Sequence, residues 1–543
     1  MKYCRDSIVL GTLGMLFAVA PAQAATLAAD AAAAFDSAAY VEGLGDATDA
    51  ALLPDGRLVV IERSGNVYTK PVGAGEPLEA HVDVNAGHGE QGLLGVVADP
   101  GFATNQFLYF YASVGEGAGG ANRHHILRYK LGADGKLTDM KTVVSMGLNG
   151  PANHNGGALD IYDGNLYIGV GDTGANATPP TNKFSSCLNQ ANGKVLRVSL
   201  AEATLGQAVA DNPLVGVAMA TGCASTGGAF AMSPPDTRIF AWGFRNPFRL
   251  WVDRTNGKVW VGDVGETTRE EITITGKGNH NGYPFWEGTT EYNQAFKPAN
   301  GGCMGMTPAT ACVAPVYDWA RASAGTSIGG RILDGCGWPA AWKSRYIFGD
   351  HEQGKVWTLD VNAGRDGVVA NSRKDFANTN NIRALRMGTD NALYMVEKGV
   401  VTRVTAKGST TTAGSCAAVN GPDEPVGGGG SGPGGASGGG AAGAGTTGGS
   451  GNPSAGTNNA TGGGGLGSTG LGGAPSTPGA GSGTTPQAGN SGSSAGAGNG
   501  SDSGDSGGCG CRMVGANGST ALALGGLAAA LGLALGRRRN RQS

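Results

Sequence analysis

An all-β fold, a six-bladed β-propeller, is predicted by three observations on the sequence. Apolar and polar residues alternate with a period of two, whereas helical periodicity is nearly absent. The alternation brackets Asp/Asn-Gly turns, which is typical of β-hairpins. Six such hairpins recur along residues 25–415, as expected of six four-stranded blades. They lie at 51–60, 95–111, 159–168, 250–260, 346–359 and 385–394.

The spacing of the hairpins is uneven, so the blades are expected to carry long loops. Loops on a rigid scaffold are where binding and catalytic side chains concentrate. Two β-sandwich domains are the alternative fold for the same strand pattern.

The first 24 residues have the features of a secretory signal peptide. Lys2 and Arg5 precede an apolar run, and small residues at 22–24 form a cleavage site. The run is too short to span a bilayer. We therefore expect residues 1–24 to be removed and the rest of the chain to be exported.

Composition separates the propeller from the region that follows it. The chain has 543 residues, of which 100 are glycine, 15% are charged and 6% are aromatic. Much of the glycine lies in residues 416–508, which are predicted to be a disordered Gly/Ser/Pro-rich linker. The glycines have no period of three, which excludes collagen. The net charge of -3 argues against a nucleic-acid partner, because phosphate binding needs a basic surface.

Residues 509–543 form a distinct C-terminal tail. Cys509 and Cys511 precede a short apolar stretch at 521–536, predicted to be a hydrophobic transmembrane helix, and an arginine cluster follows. This arrangement resembles the myxobacterial MYXO-CTERM sorting tail, which implies attachment at the cell surface or outer membrane, or release after processing. A plain membrane anchor is the alternative. In both cases the propeller faces outward.

The cysteines favour disulfides, because an even number of them remains in an exported region. Cys303 and Cys312 are the most plausible pair by loop length, and the other pairings are open. None of the cysteines has the CxxC spacing of a zinc site. The six are Cys187, Cys223, Cys303, Cys312, Cys336 and Cys416.

Two loops of one hairpin carry residues suited to proton transfer. His154 enters the hairpin and Asp172 leaves it, so the blade can bring them together. Histidine is the usual base near neutral pH, and a carboxylate would fix its tautomer and raise its basicity. A histidine that only satisfies a loop carbonyl is the alternative.

The next hairpin adds a cation and an acidic loop. Arg245 and Asn246 stand on the turn that opens it, and arginine offers a fork of donors to a carboxylate or carbonyl oxygen. A structural ion pair is the alternative. Gly265 and Glu266 follow in a loop of carbonyls and carboxylates that suits calcium, although a solvated acidic loop explains it equally well.

The order of these motifs resembles that of the glucose/sorbosone dehydrogenase family over about residues 45–404. The family consists of soluble aldose dehydrogenases that use pyrroloquinoline quinone (PQQ) and calcium on a six-bladed propeller. The matching segments are 62–63, 89–95, 154–157, 171–174, 243–247, 265–272 and 279–284.

The resemblance implies a role for each site residue. His154 would take the proton of the anomeric hydroxyl, and Asp172 would orient it. Arg245 would stabilise the negative charge that develops on the quinone, while Asn246 holds the edge of the cofactor.

Other residues are implied as cofactor ligands. The backbone carbonyls of Gly265 and Glu266 would hold the calcium ion. Glu90 and Gln91 would lie in a loop at the same end of the propeller, without an assigned role.

Two positions depart from the family pattern. Asp334 stands where the family has a lysine or arginine that grips a cofactor carboxylate, unless Arg331 reaches round to compensate. Arg383 is retained, but Asn381 replaces a second arginine.

The resemblance therefore implies a surface-tethered quinoprotein that oxidises an aldose sugar to a lactone and passes electrons to an external acceptor, a cytochrome or a quinone. The alternative is a non-catalytic, calcium-stabilised propeller that serves as an extracellular binding or adhesion module. A hydrolase is disfavoured, because the sequence has neither G-x-S-x-G nor HExxH.

Overall fold

The structure is a computed structural model that describes residues 23–408 with internal gaps. The gaps are 74, 88, 115–121, 149–152, 175–183, 224–229, 293–302, 304–306, 322–323 and 335–336. The predicted linker and sorting tail, and nearly all of the predicted signal peptide, lie outside the described residues. Among the residues that are described, every helix is too short or too polar to cross a membrane.

The described strands form six antiparallel blades. The chain starts with β1 (Thr26–Leu27), helix α1 (Ala29–Ala34) and β2 (Phe35–Glu42). The first blade consists of β3 (Ala47–Leu52), β4 (Leu58–Glu62), β5 (Asn66–Lys70) and β6 (Leu78–His81). The second consists of β7 (Leu93–Ala98), β8 (Phe107–Val114), β9 (Asn122–Leu131) and β10 (Leu137–Leu148), with helix α2 (Phe102–Asn105) after β7.

The third and fourth blades carry insertions. The third consists of β11 (Ala158–Tyr162), β12 (Asn165–Val170), β13 (Lys194–Ser199) and, after the hairpin β14 (Ala220–Cys223) and β15 (Phe230–Ser233), β16 (Ile239–Trp242). Two 3₁₀ helices lie within it, at Phe184–Ser186 and Glu202–Thr204. The fourth consists of β17 (Pro247–Val252), β18 (Val259–Asp263), β19 (Arg269–Thr275) and, after the hairpin β20 (Trp286–Glu287) and β21 (Thr290–Glu291), β22 (Tyr317–Ala320).

The last two blades take strands from both ends of the described chain. The fifth consists of β23 (Ser327–Leu333), β24 (Arg345–Asp350), β25 (Lys355–Asp360) and β26 (Lys374–Asn378), with β1 added at its edge and a 3₁₀ helix at Ala340–Trp342. The sixth consists of β27 (Ile382–Met387), β28 (Leu393–Glu397) and β29 (Val400–Ala406), with β2 as its outer strand.

The structure confirms the six-bladed prediction, because each predicted hairpin falls in a different blade. The turn between β11 and β12 shows the local reason. Tyr162 pairs with Asn165, and the two residues between them, Asp163 and Gly164, have φ of 49° and 70°. These are the positive values of a type I′ turn, whose twist matches that of the paired strands.

The first strand of each blade lies nearest the propeller axis. These inner strands, β3, β7, β11, β17, β23 and β27, contact one another in a closed ring. Several of them, including β3, β7 and β23, are buried along their whole length. The apolar core therefore lies between blades, and the inner strands surround a central channel.

Two disulfides lie in the insertions of the third and fourth blades. Cys303 is bonded to Cys312, which confirms the predicted pair. Cys187 is bonded to Cys223 and packs with Phe184 and Phe230, a pairing that the sequence left open.

Strand β2, which comes from the start of the domain and completes the sixth blade, gives a test of the fold. Phe35, at the start of β2, is buried against Trp338, Trp342 and Phe376. We expect Phe35→Ala to lower the free energy of unfolding by about 3–5 kcal/mol, because a large cavity would open in this seam. Ser37→Ala, at an exposed position of the same strand, should change it by less than about 0.5 kcal/mol. Equal effects in urea titrations would show that β2 does not hold the ring closed.

Candidate functional site

The central channel opens into a cavity of about 320 Å³ at the end where the inner strands begin. All six blades contribute to its wall, each from the start of its inner strand or the residues just before it. These contributions include Thr48, Leu94, Gly156, Asn246, Thr326 and Asn381. The volume is sufficient for a small-molecule ligand.

His154 and Asp172 meet beside this cavity. The Nδ1 atom of His154 lies 2.7 Å from Oδ1 of Asp172, and both side chains are buried. The loops are held together by a backbone bond from Thr173 to the His154 carbonyl at 3.1 Å. A Cβ atom at Gly171 would overlap that carbonyl, so only glycine allows this approach. His154 itself has φ of 53°, a strained backbone value of the kind found at functional sites.

The contacts of the His154 ring fix its tautomer. Nε2 lies 2.8 Å from Nη2 of Arg245, and a guanidinium can only donate. Nε2 therefore accepts, and Nδ1 carries the hydrogen that is donated to Asp172. The structure thus brings the predicted base, its orienting acid and the predicted arginine together, with the basic nitrogen facing the cation.

Arg245 is fixed at every part of its guanidinium. Besides His154, it donates to Oε2 of Glu266 at 2.5 Å and to the carbonyl of Val264 at 3.1 Å. Burial acts to lower the pKa of Arg245, but Glu266, Tyr283 and Asp172 together outweigh it and the pKa is raised. The arginine is therefore a permanent positive charge at the site.

A buried carboxylate aligns the turn that carries Arg245. Asp263 accepts from the backbone N–H of Arg245 at 3.0 Å and from that of Asn246 at 2.7 Å. Asn246 in turn accepts from the backbone N–H of Gly156 at 2.9 Å. This chain of bonds links the Arg245 turn to the His154 loop. Asn246 lies in the cavity wall.

The cavity wall is rich in cations. Four cations line it, with two carboxylates: Arg63, Arg249, Arg383 and Lys398, and Glu90 and Glu352. Arg63 and Arg383 share a single carboxylate, that of Asp46, at 2.9 Å and 3.1 Å. The site therefore has positive charge in excess on this side.

Arg249 contributes most to this excess. Its side chain is buried, and it donates to the backbone carbonyls of Phe248 and Thr48. Within the described residues no carboxylate bonds to it. Burial lowers its pKa to about 10, as do Arg386 and Arg383, while Asp49 opposes them. An anion in the cavity would relieve this repulsion.

Asn381 lies in the cavity wall, as the sequence predicted, and its neighbour supplies a cation. The backbone N–H of Lys398 donates to the Asn381 carbonyl at 3.3 Å, and the exposed Lys398 side chain has no bonding partner among the described residues. His351 also lines the cavity. Its Nδ1 donates to the carbonyl of Ile382 at 3.0 Å, and burial lowers its pKa to about 3, so the ring is neutral.

Asp334 and Arg331 do not lie where the family pattern suggested. Asp334 follows the far end of β23, about 26 Å along the strand from Thr326 at the cavity. It bonds to Arg365 at 2.8 Å. Arg331 is buried between the fourth and fifth blades, 5.3 Å above the ring of Trp251, and is absent from the cavity wall. The expectation that Asp334 opposes the cofactor is therefore wrong, and Arg331 is not retained as a ligand.

Of the two backbone carbonyls named for calcium, that of Gly265 already has a cationic partner. The Gly265 carbonyl accepts a hydrogen bond from Nη1 of Arg321. The carboxylate of Glu266 is bound by Arg245 and lies 3.4 Å from the hydroxyl of Tyr283. Calcium needs six to eight oxygen ligands, whereas here two guanidinium groups stand at the two residues.

Sequence reasoning missed three residues of this site. Arg249 could have been noticed as a charge inside an apolar strand, where a buried arginine needs an explanation. Lys398 stands on the turn between β28 and β29, and Arg321 follows β22. Their positions depend on how strands are paired within a blade, and no local pattern indicates that.

Comparisons with known proteins agree with this geometry. A sequence model of the Glucose / Sorbosone dehydrogenase family matches residues 44–405. The aldose sugar dehydrogenase YliI of Escherichia coli K12 is 28% identical over 357 residues, which cover 64% of this chain and 85% of that protein.

Solved structures share the fold. The apo-form of the soluble aldose sugar dehydrogenase from E. coli has a TM-score of 0.54 at 24% identity and covers 69% of this chain and 100% of its own. The PQQ-bound form of an aldose sugar dehydrogenase from Streptomyces coelicolor has a TM-score of 0.50 at 17% identity and covers 68% of this chain and 98% of its own. Both confirm the propeller.

Buried carboxyl groups behind Arg245 predict a pH dependence of stability. Burial raises the pKa of Asp263 to about 7, and burial and Asp263 together raise that of Glu271 well above its usual value. The folded state thus binds these protons more tightly than the unfolded chain does. The contribution of these two groups to stability should be fully present below the unfolded value of about 4 and be lost as pH rises through the folded values.

We expect Glu271→Gln to reduce the loss of stability with rising pH. The loss is measured as the free energy of unfolding in urea at about pH 5 minus that at about pH 8. Glutamine keeps the acceptor for the backbone N–H of Gly288, which bonds to Glu271 at 2.9 Å. The exposed variant Glu79→Gln should keep the wild-type difference. If Glu271→Gln also kept it, Glu271 would not be the titrating group.

Proposed function

Because the chain belongs to the glucose/sorbosone dehydrogenase family, we propose that it oxidises an aldose sugar to its lactone, with PQQ as hydride acceptor. The observation that carries the proposal is the bonded set of Asp172, His154 and Arg245 at the edge of a cation-lined cavity. The similarity to a relative named an aldose sugar dehydrogenase supports the same reaction.

The charge of the cavity wall supports PQQ as the cofactor. PQQ carries three carboxylates, and the wall offers Arg63, Arg249, Arg383 and Lys398. Charge-assisted bonds of this kind contribute about 1.5–3 kcal/mol each. The buried Nε of Arg249, which has no partner within the described chain, is a donor that such an anion could engage. When bound, PQQ would supply the hydride acceptor that the protein's own side chains lack.

His154 is the residue suited to remove the proton of the sugar's anomeric hydroxyl. Its lone pair on Nε2 is held by Arg245, so the hydroxyl must replace that bond before the proton moves. As Nε2 gains the proton, the imidazole becomes positive, and the carboxylate of Asp172 stabilises it through Nδ1. Arg245, fixed by Glu266, then stabilises negative charge that develops at the cavity.

The alternative of a non-catalytic binding module loses its main support. It was favoured by the apparent loss of two cations, at Asp334 and Asn381. Asp334 lies at the other end of β23, and Lys398 supplies a cation beside Asn381. A binding module would also have no need of a base held by an orienting acid.

We further propose that the enzyme works outside the cytoplasm. The signal-peptide features of residues 1–24 and the sorting-tail features of residues 509–543 support export and attachment at the cell surface or outer membrane. The disulfides of the propeller suit an oxidising compartment. The electrons would leave through an external cytochrome or quinone, since each turnover reduces the cofactor.

The function is tested by titrating purified protein with PQQ in the presence of calcium and then adding aldoses with a dye as electron acceptor. We expect sugar-dependent dye reduction. His154→Ala should reduce the rate by about 10²–10⁴, the usual contribution of a general base, with PQQ affinity nearly unchanged. The exposed His81→Ala is the control and should keep the wild-type rate. A wild-type rate in His154→Ala would exclude His154 as the base.

Lys398 allows a test of the cofactor site alone. Lys398→Gln should weaken PQQ binding by about tenfold or more, because one charge-assisted bond is lost. The side chain is exposed, so folding should be preserved. Lys374→Gln, an exposed lysine on the outer strand β26, is the matched control. Equal affinity of the two variants in a fluorescence titration would place the PQQ carboxylates elsewhere.

A further inference from the structure

Arg321 is a buried cation that the proposed reaction does not use. It follows β22 and is 6% exposed. Its Nη1 donates both to the carbonyl of Gly265 and to Oε1 of Glu270, the latter at 2.7 Å. Its backbone N–H donates to the carbonyl of Thr268 at 3.0 Å, so backbone and side chain are both fixed.

The partner of Arg321 is equally well fixed. Glu270 is fully buried, and its Oε2 accepts from the backbone N–H of Ser327 at 2.7 Å. Both carboxylate oxygens are therefore engaged. Arg321 and Glu270 therefore form a closed hydrogen-bonded pair behind the Gly265 carbonyl.

This pair lies beside the cavity. Ser327, which Glu270 binds, follows Thr326 in the cavity wall. Val264 and Gly265 present consecutive carbonyls, of which Arg245 binds the first and Arg321 the second. A second guanidinium thus stands next to Arg245, at the carbonyl where the family resemblance implies a calcium ion.

A calcium ion would be unfavourable at this carbonyl. It would have to displace Arg321 from Gly265, and it would then lie within a few ångströms of a buried guanidinium. Like charges at such distances repel strongly where water is excluded. Two carboxylates near this carbonyl are already bonded, that of Glu270 by Arg321 and Ser327 and that of Glu266 by Arg245.

We propose that the guanidinium of Arg321 takes the place of the divalent cation at Gly265, so that the propeller folds and binds its cofactor without calcium. Arg321 is a positioning residue. It holds the Gly265 carbonyl and supplies a positive charge that no chelator removes. The part of this proposal that concerns the cofactor rests on the proposed function, while the part that concerns calcium and the apo-protein does not.

The first experiment uses the apo-protein. Thermal unfolding is measured with millimolar calcium chloride and with EDTA for wild type, Arg321→Gln, Arg321→Lys and Arg269→Gln. Arg269 is the matched control, because it forms a two-bond ion pair with Asp318 in the same blade and its side chain does not bind Gly265. We expect calcium to leave the Tm of wild type, Arg321→Lys and Arg269→Gln unchanged.

Arg321→Gln should behave differently. It frees the Glu270 carboxylate and the Gly265 carbonyl, two oxygen ligands at a position without its cation. Its Tm should be lower in EDTA and rise by several degrees with calcium. A calcium-dependent rise in wild type as large as that in Arg321→Gln would overturn the proposal, and so would an Arg321→Gln protein that folds but ignores calcium.

The second experiment needs no variant and covers the case in which Arg321→Gln fails to fold. Wild-type protein is titrated with PQQ in calcium and in EDTA. We expect dissociation constants within about threefold of each other, whereas a weakening of about tenfold or more in EDTA would overturn the proposal. If PQQ binds in neither condition, the proposed function fails, and the Tm response of the wild-type apo-protein to calcium still decides the role of Arg321.

Discussion

Closure of the ring of six blades is the constraint on which the rest of the structure depends. Each blade packs its apolar faces against two neighbours, so an open seam would expose apolar surface on both sides. Here the seam is closed within a sheet, because β2 from the start of the domain pairs with β29 from its end. Closure also brings the starts of all six inner strands to one end of the channel. The cavity, and with it the site, exists because of that arrangement.

The site combines two opposite electrostatic conditions. On the side of the His154 loop, each cation has a carboxylate: Asp172 for the protonated ring and Glu266 for Arg245. On the other side, cations outnumber the carboxylates that bind them, and burial and repulsion depress the pKa of Arg249. A protein that keeps unpaired charge in a low-dielectric wall loses stability unless a ligand compensates. The first side is therefore arranged for proton transfer and the second for holding an anion.

Much of the fold and part of the site could be predicted from local patterns. Hairpin turns such as Asp163-Gly164 are specified by neighbouring residues, so the blade count was correct. His154, Asp172 and Arg245 could be singled out because each lies in a short motif at the end of a strand. His154 and Arg245 precede the inner strands β11 and β17, and Asp172 follows β12. The sequence analysis placed Asp334 at the cofactor site, but Asp334 lies at the end of β23 that is far from the cavity. A local motif does not show which end of a strand faces the ligand.

The roles of Lys398 and Arg321 could not be predicted for a different physical reason. Each acts across a strand pairing: Lys398 bonds through its backbone to Asn381, and Arg321 reaches from the residue after β22 to Gly265. The same limit explains why a carbonyl motif suggested a calcium ion. A backbone motif shows which acceptors are presented, but the group that meets them comes from another part of the chain.

A side-chain cation and a bound ion meet the same acceptor with different consequences. The occupancy of an ion depends on its concentration outside the cell, so the stability of its site changes with the medium. A guanidinium is present in every folded molecule, and its contact with Glu270 is part of the fold. Its cost is rigidity, because Arg321 must keep both Gly265 and Glu270 bonded at once, and the pair would be strongly destabilising if either partner were lost. If Arg321 takes the place of the ion, as we propose, stability depends on a buried ion pair and not on the medium. Such independence would suit the exported protein that we propose, whose surroundings the cell does not control.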